Sequence, residues 1–170
     1  LDDARLAGKK GGDCTLLVTE GDSAKAFAVA GLSVLGRERY GIYALRGKPM
    51  NVRKFPDRKV VENEQCAALM KILGLQLHAK LTPESVTELR YARVVILADQ
   101  DVDGAHIASL TLNFFHTKWP SLVQAAPDYF QRFATPLVRV TLPGGGGDMR
   151  FFSEVEYERW ADERVAQGLQ

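Results

Sequence analysis

Short apolar runs and longer helical segments alternate along most of the chain. Runs rich in apolar and β-branched residues predict buried strands at 14–19, 40–45 and 93–98, the last being the strongest. Capping residues and glycines predict helices from Asp22 or Ser23 to Gly36, from Asn63 to Gly74, from Thr82 onward, and over 105–118. This order predicts an α/β domain with a mostly parallel central sheet flanked by helices.

A hairpin followed by a helix is predicted near the C-terminus. Apolar runs at 137–142 and 149–152 flank a glycine turn at 144–147. Ser153 and Glu156 have the spacing of a capping box, which predicts a final acidic helix. This region therefore adds a separate hairpin and helix after the strand–helix alternation.

Length and composition restrict the class of protein. Of 170 residues, 46% are hydrophobic and 25% are charged, which is enough apolar material for the core of one domain. The 22 Lys and Arg residues nearly balance the 21 Asp and Glu residues, which excludes a polybasic tail and an acidic disordered chain. We predict that 1–170 is a single domain. Because the chain begins with Leu1 rather than Met, we expect a fragment of a larger multidomain protein.

Neither a membrane span nor a disulfide framework is indicated. No apolar run approaches the roughly 20 residues that a helix needs to cross a bilayer. Cys14 and Cys66 are too few for a disulfide framework and fit a reducing compartment. No membrane partner is therefore expected.

Basic residues concentrate in one segment, 37–59. Eight Lys and Arg residues stand there against only Glu38 and Asp57, and Gly41, Gly47 and Pro49 interrupt them. A solvated loop would account for the charge alone. Glycine and proline within a basic run also indicate shaped loops that bind a polyanion.

Acidic residues follow the strongest predicted strand. The segment Asp99-Gln-Asp101-Val-Asp103-Gly104 places three carboxylates in one turn, where they repel one another unless cations neutralise them. Hard oxygen ligands of this kind suit Mg²⁺ or Mn²⁺, with substrate phosphate completing the coordination shell. A second acidic segment, Glu20-Gly-Asp-Ser, follows the first strand. Carboxylates above two neighbouring parallel strands can bind a divalent metal jointly.

Other proteins place similar acidic patterns in different folds. An EF-hand loop needs Glu at its twelfth position, where this chain has Leu110, and it follows a helix rather than a strand. A phosphohydrolase of the haloacid dehalogenase kind uses D-x-D-x-V after a strand, with Asp99 as nucleophile, but a later acidic pair on a strand end is missing. A DNA-binding module without chemistry is the remaining alternative.

Two long segments resemble a known family. The sequences LLVTEGDSAKAFAVAGLSVLGRERYGIYALRGKPM (16–50) and LADQDVDGAHI (97–107) resemble the Toprim domain of type IIA DNA topoisomerases, in its eukaryotic topoisomerase II branch. Further matches are Gly74-Leu-Gln76, Trp119-Pro-Ser-Leu122 and Phe133-x-Thr-Pro136. The chain departs from the family at Ala44 and Ala105, neither of which is a proposed ligand. The resemblance implies a Rossmann-like Toprim fold and a part in an ATP-dependent type II DNA topoisomerase, which is an isomerase.

The resemblance also implies a metal site. Glu20 and Asp99 match the residues that hold one Mg²⁺ beside the scissile phosphate in that family. Asp101, together with Asp99, matches the ligands of a second ion, and Asp103 would support the cluster electrostatically. Mn²⁺ or Ca²⁺ would substitute for Mg²⁺. The metal half of a cleavage–religation site is therefore expected in this chain.

DNA contacts follow from the same comparison of motifs. Arg46 and Lys48 match residues that face double-stranded DNA beside the metal, so a phosphate contact with a catalytic role is expected for each. Other positions that match residues lining the cleavage site or contacting DNA are Gly21, Asp22, Arg37 and His106.

The remaining machinery is expected outside this chain. The nucleophile of the family is a tyrosine on a winged-helix domain, which the other subunit of a homodimer supplies. ATP is used by another domain, and residues 41–49 lack the spacing and the Ser or Thr of a P-loop. We therefore expect the fragment alone to be inactive in strand passage, and the parent to act in the nucleus.

Overall fold

Strands and helices alternate in the computed structural model, which describes residues 1–9, 11, 13–142 and 147–168. Two compact units make up the chain, Leu1–Phe133 and Ala134–Gln170. The first unit contains the strands Thr15–Glu20 (β1), Tyr40–Leu45 (β2), Arg93–Leu97 (β3) and Phe130–Arg132 (β4). Its helices are Gly21–Leu35 (α1), Asp57–Glu62 (α2), Glu64–Leu73 (α3), Pro83–Val86 (α4), Val102–Lys118 (α5) and Pro120–Ala125 (α6). Short 3₁₀ turns lie at Val52–Lys54 and Pro127–Tyr129.

All four strands of the first unit form one parallel sheet in the order β2-β1-β3-β4. The registers pair Glu20 with Leu45 and Thr19 with Leu97, so β1, β2 and β3 end at the same edge of the sheet. The prediction of an α/β fold with a mostly parallel sheet is confirmed.

Side chains of β1 enter the core on both faces of the sheet. Leu16 and Val18 belong to the larger hydrophobic cluster, which includes residues of α3 and α5. Leu17, between them, packs instead with Ala28 and Leu32 of α1. Successive residues of a strand point to opposite faces, so a strand buried on both faces is almost entirely apolar.

The helix ends follow local capping chemistry. Asn63 caps α3 by accepting a hydrogen bond from the Cys66 N–H (3.1 Å), and Gly74 ends it in the left-handed conformation with φ 79°. Thr82 forms a capping box with Ser85 at the start of α4. These three predicted signals are confirmed.

Other helix starts differ from the predictions. Helix α1 begins at Gly21, so Asp22 and Ser23 lie inside it and neither caps it. Helix α5 begins at Val102, three residues before the predicted start at 105, because Asp101 is its N-cap. Helix α1 therefore begins directly after β1, whereas α5 is separated from β3 by four residues and begins inside the acidic segment that follows β3.

An aromatic cluster joins α5, α6 and β4. Trp119 is fully buried between the two helices and donates its Nε1–H to the Gln76 carbonyl oxygen at 2.7 Å. Phe115 stacks on Phe130 of β4 with ring centroids 4.4 Å apart. The cluster fixes β4 beside β3, although strand β4 and helix α6 were not predicted.

The N-terminal segment adds one antiparallel bridge, between Asp2 and Ile42 of the edge strand β2. The buried Tyr91 hydroxyl accepts a hydrogen bond from the Ala4 N–H (3.1 Å) and donates one to Asp3. The segment is thereby attached both to β2 and to Tyr91, which precedes β3.

The second unit consists of a hairpin and a helix, as predicted. Strands Val138–Thr141 (β5) and Asp148–Phe151 (β6) pair antiparallel, and helix Glu154–Ala166 (α7) follows. Ser153 caps α7 by accepting a hydrogen bond from the Glu156 N–H. Of the predicted glycine turn, 144–146 lie outside the described residues. Among the described helices of the chain, none has the length and apolar character required to cross a bilayer.

Candidate metal and phosphate site at the strand ends

The two acidic segments meet at the carboxyl ends of β1 and β3. Glu20 is the last residue of β1, and Asp99 lies two residues beyond the end of β3. Because these strands are neighbours in register, the Asp99 N–H donates a hydrogen bond to Glu20 Oε2 at 3.4 Å. Glu20 is half-buried and Asp99 is exposed, so solvent reaches both carboxylates.

The backbone of Asp99 is held in place from three directions. Its N–H contacts Glu20, and its carbonyl oxygen accepts a hydrogen bond from Arg132 Nη2 at 3.1 Å. Gly104 packs directly against it: a Cβ on that residue would lie 2.2 Å from the Asp99 carbonyl oxygen. Only glycine permits this approach, so Gly104 in the D-x-D-x-D-G segment has a steric function.

The other two aspartates of the turn have protein partners. Asp101 caps α5, with its Oδ1 accepting a hydrogen bond from the Gly104 N–H at 2.7 Å. Asp103 forms an ion pair with Lys48 at 2.8 Å. The hydrogen bond between the two side chains raises the pKa of Lys48 and lowers the pKa of Asp103. His106 lowers the pKa of Asp103 by a smaller amount. One of the three like charges is thus neutralised by the chain itself.

The basic loop after β2 borders the acidic segments. Gln65 holds the main chain of Arg46 by accepting from its N–H and donating to its carbonyl oxygen, at 3.3 and 2.7 Å. The Arg46 guanidinium lies 3.8 Å from Glu64 and is largely exposed. Lys48 contacts Asp103 as described, and the charge of Glu20 also raises the pKa of Lys48. Cations and carboxylates therefore share one edge of the sheet.

The remaining predicted site residues lie at opposite ends of the parallel strands. Gly21 (φ 75°) and Asp22 follow Glu20 directly, and His106 is exposed on α5. Arg37, in contrast, precedes β2, and its carbonyl oxygen bonds to the Arg5 N–H. Its backbone lies at the amino ends of the strands, opposite Asp99, because α1 runs back along the sheet. The structure does not bring Arg37 into the cluster with which it was grouped.

The donor set at this edge suits a divalent cation that retains water. Among residues 1–9, 11, 13–142 and 147–168, no group of three or more Asp, Glu, His or Cys side chains is assembled as a metal site. Mg²⁺ does not need such a cage, because one or two carboxylates, waters and substrate phosphate complete its shell. Glu20 and Asp99 supply two accessible carboxylates, so these residues fit the ion.

One charged residue at this edge was missed by the sequence reasoning. Arg132 ends β4, which spans only 3 residues. A strand that short has too few positions to show alternation. The parallel pairing of β4 with β3 nevertheless brings the guanidinium of Arg132 to the carbonyl oxygen of Asp99.

Known proteins are similar to this chain in sequence. The family model for the Toprim domain matches residues 15–134. The curated protein "DNA topoisomerase 2" of Pisum sativum is 46% identical over 162 residues, covering 95% of this chain and 11% of the relative. "DNA topoisomerase 2-beta" of Gallus gallus is 44% identical over 162 residues, covering 94% and 10%. "Putative DNA topoisomerase 2, mitochondrial" of Caenorhabditis elegans is 49% identical over 166 residues, covering 95% and 14%.

A solved structure is similar over nearly the whole chain. It is the crystal structure of the Plasmodium falciparum topoisomerase II DNA-binding, cleavage and re-ligation domain, with a TM-score of 0.82 and 39% identity. The match covers 95% of this chain and 22% of that one. Relative to the curated proteins above, this chain spans between 10% and 14% of their length.

Proposed function

The chain belongs to the Toprim domain family, and from that premise we propose that it supplies the divalent-metal half of a DNA cleavage–religation site. The parent would be a type II DNA topoisomerase, as the relatives are named. The observation that carries the proposal is the 3.4 Å contact between the Asp99 N–H and Glu20 Oε2, which joins the ends of two neighbouring parallel strands.

Each acidic residue has a distinct part in this proposal. Glu20 and Asp99 hold Mg²⁺, with Mn²⁺ or Ca²⁺ as substitutes, since both carboxylates are accessible at one edge. Asp101 keeps its Oδ2 for a second ion while its Oδ1 caps α5. When bound, the metal neutralises charge on the phosphate and on the leaving oxygen. Asp103 acts indirectly by orienting Lys48 through their 2.8 Å ion pair.

Basic residues would place the DNA. Arg46 and Lys48 project from the loop after β2 with exposed cationic groups, and phosphate contacts of this kind position a duplex without reading its bases. The same DNA would also be bordered by Gly21 and Asp22, which follow Glu20 directly, and by His106, which follows Asp103 by three residues. A contact by Arg37 would have to be made at the opposite edge of the sheet.

The other components of the reaction lie on other domains in this proposal. Tyr91 and Tyr129 are fully buried, and we propose that the nucleophilic tyrosine comes from a winged-helix domain of the other subunit of a homodimer. ATP would be used by a further domain, and 1–170 would form one Toprim module. Action in the nucleus is proposed from the family; the name of the Caenorhabditis elegans relative makes the mitochondrion the alternative that microscopy of the tagged protein decides.

The phosphohydrolase alternative is not favoured. It needs a later acidic pair at a strand end, whereas the next strand end in the first unit presents Arg132. Labelling of Asp99 by beryllium fluoride, an analogue of the aspartyl phosphate, would be expected only of the phosphohydrolase. The topoisomerase proposal predicts no such adduct.

A double-mutant cycle tests the shared metal site. Binding of Mn²⁺ to the 170-residue chain is followed by the electron paramagnetic resonance signal of the free ion. If Glu20 and Asp99 hold one ion, Glu20→Gln and Asp99→Asn each weaken binding about tenfold or more, and the double variant binds little worse than either alone.

Glu38→Gln is the matched control, because Glu38 is an exposed glutamate paired with Arg5 at the amino ends of the strands. It should bind Mn²⁺ like the wild type. Wild-type Mn²⁺ binding in either Glu20→Gln or Asp99→Asn would mean that the two carboxylates do not hold one ion together, and it would contradict the proposal.

A further inference from the structure

The end of β4 places a cation beside the acidic residues at the ends of β1 and β3. Arg132 ends β4, is paired in register with Ile96, and is exposed. Its Nη2–H donates to the Asp99 carbonyl oxygen at 3.1 Å. No carboxylate of the described first unit forms an ion pair with it. This distinguishes Arg132 from the two cations after β2, of which Lys48 pairs with Asp103 and Arg46 with Glu64.

The carbonyl contact leaves most of the guanidinium available. A guanidinium has five N–H donors, and the bond to Asp99 takes one of them without cancelling the positive charge. The remaining donors form a planar fork that suits two oxygens of one phosphate. Arg132 is therefore oriented by the site and is still free to bind an anion there.

Space for that anion lies next to the side chain. A groove of about 320 Å³ runs between β4 and α5, and Arg132 lines it. The rest of its lining is mostly apolar, including Ile96, Leu112 and Phe130, so the groove gives room beside the exposed guanidinium rather than further ligands for a phosphate.

We propose that Arg132 binds a backbone phosphate of the DNA held at this site. The inference rests on the proposed function and adds a contact to it, at the end of β4 rather than in the loop after β2. A phosphate there would lie on the far side of Asp99 from Lys48, so the two cations would flank the acidic residues and contact the DNA backbone on either side of them.

Salt dependence of DNA binding tests the contact. The 170-residue chain is titrated with a short duplex in EDTA, followed by fluorescence anisotropy at several salt concentrations. Each phosphate contact contributes about 0.9 to the slope of log K against log salt. Arg132→Gln should reduce the slope by about that amount, so that the loss of affinity between 50 and 200 mM salt becomes roughly 3.5-fold smaller. Arg132→Lys should restore most of it.

Arg93→Gln is the matched control. Arg93 begins β3, at the opposite edge of the sheet, where it pairs with Asp13 at 3.1 Å. The control should leave the slope unchanged. As a direct measure, the Nε–Hε resonance of Arg132 should shift as the duplex is added to ¹⁵N-labelled wild-type protein.

An Arg132 resonance that stays in place, whether or not other residues respond, overturns the proposal. So does an unchanged slope in Arg132→Gln, which would restrict Arg132 to positioning Asp99. Mn²⁺ binding by Glu20 and Asp99 is measured without DNA, so failure of the metal proposal remains distinguishable.

Discussion

Replacement of Gly104 by alanine is expected to destabilise the protein and to displace Asp99. The new Cβ would lie 2.2 Å from the carbonyl oxygen of Asp99 and 2.8 Å from its nitrogen. Both are main-chain atoms, so no side-chain rotation relieves the contact. Either α5 or the strand-end turn must move, and the hydrogen bonds of Asp99 to Glu20 and Arg132 depend on that turn.

The expected magnitude combines two opposing effects. Alanine inside a helix is favoured over glycine by about 1 kcal/mol. Insertion of a methyl group into a packed site costs about 1–3 kcal/mol, and a main-chain contact this short corresponds to the upper end. We therefore expect Gly104→Ala to lower the free energy of unfolding by about 2 kcal/mol.

Urea unfolding measures this difference, with an unchanged m-value as evidence that the same transition is compared. Gly31→Ala in α1 is the matched control, since a Cβ there would have no heavy atom within 4 Å. It should stabilise the protein by about 0.5–1 kcal/mol. If Gly104→Ala were stabilised like Gly31→Ala, the close packing of α5 on Asp99 would be refuted.

Three further predictions follow from buried or paired groups. Tyr91→Phe removes the acceptor of the Ala4 N–H and should lower the free energy of unfolding by about 1–3 kcal/mol; an unchanged urea midpoint would contradict this. Burial raises the pKa of the Cys66 thiol to about 11, above about 8.5 for an unfolded chain. The stabilisation that comes from keeping this thiol protonated in the folded state is therefore complete below about pH 8.5 and is lost toward pH 11. The free energy of unfolding of the wild type relative to Cys66→Ala should fall by about 2–3 kcal/mol over that range. Lys48→Met should return the lowered pKa of Asp103 toward its ordinary value, measured by carboxyl ¹³C titration; no change would mean that another group lowers it.

Local patterns were sufficient to predict most of the first unit. Strand β2 has the predicted bounds, and α3 begins and ends at the predicted cap and glycine. Apolar periodicity and capping side chains act within a few residues, so they can be recognised without the rest of the fold. The meeting of Glu20 with Asp99 followed from one further rule, that parallel strands end at a common edge.

Features that depend on packing between distant segments were not predictable in this way. Strand β4 is defined by its pairing with β3 and by the stacking of Phe130 on Phe115, which no local pattern indicates. Arg132 was missed for the same reason. The separation of Arg37 from Asp99 depends on the direction in which α1 returns along the sheet, which the spacing of motifs does not contain.

The most direct test of the shared metal site is paramagnetic broadening by Mn²⁺ in ¹H–¹⁵N spectra of the 170-residue chain. If one ion is held between the two strand ends, broadening begins together at the amides of Glu20 and Asp99 and extends to Asp101. Asp101→Asn should keep the effect at Glu20 and Asp99. Broadening confined to the turn 99–103, or none at millimolar Mn²⁺, would contradict a site shared between the ends of β1 and β3.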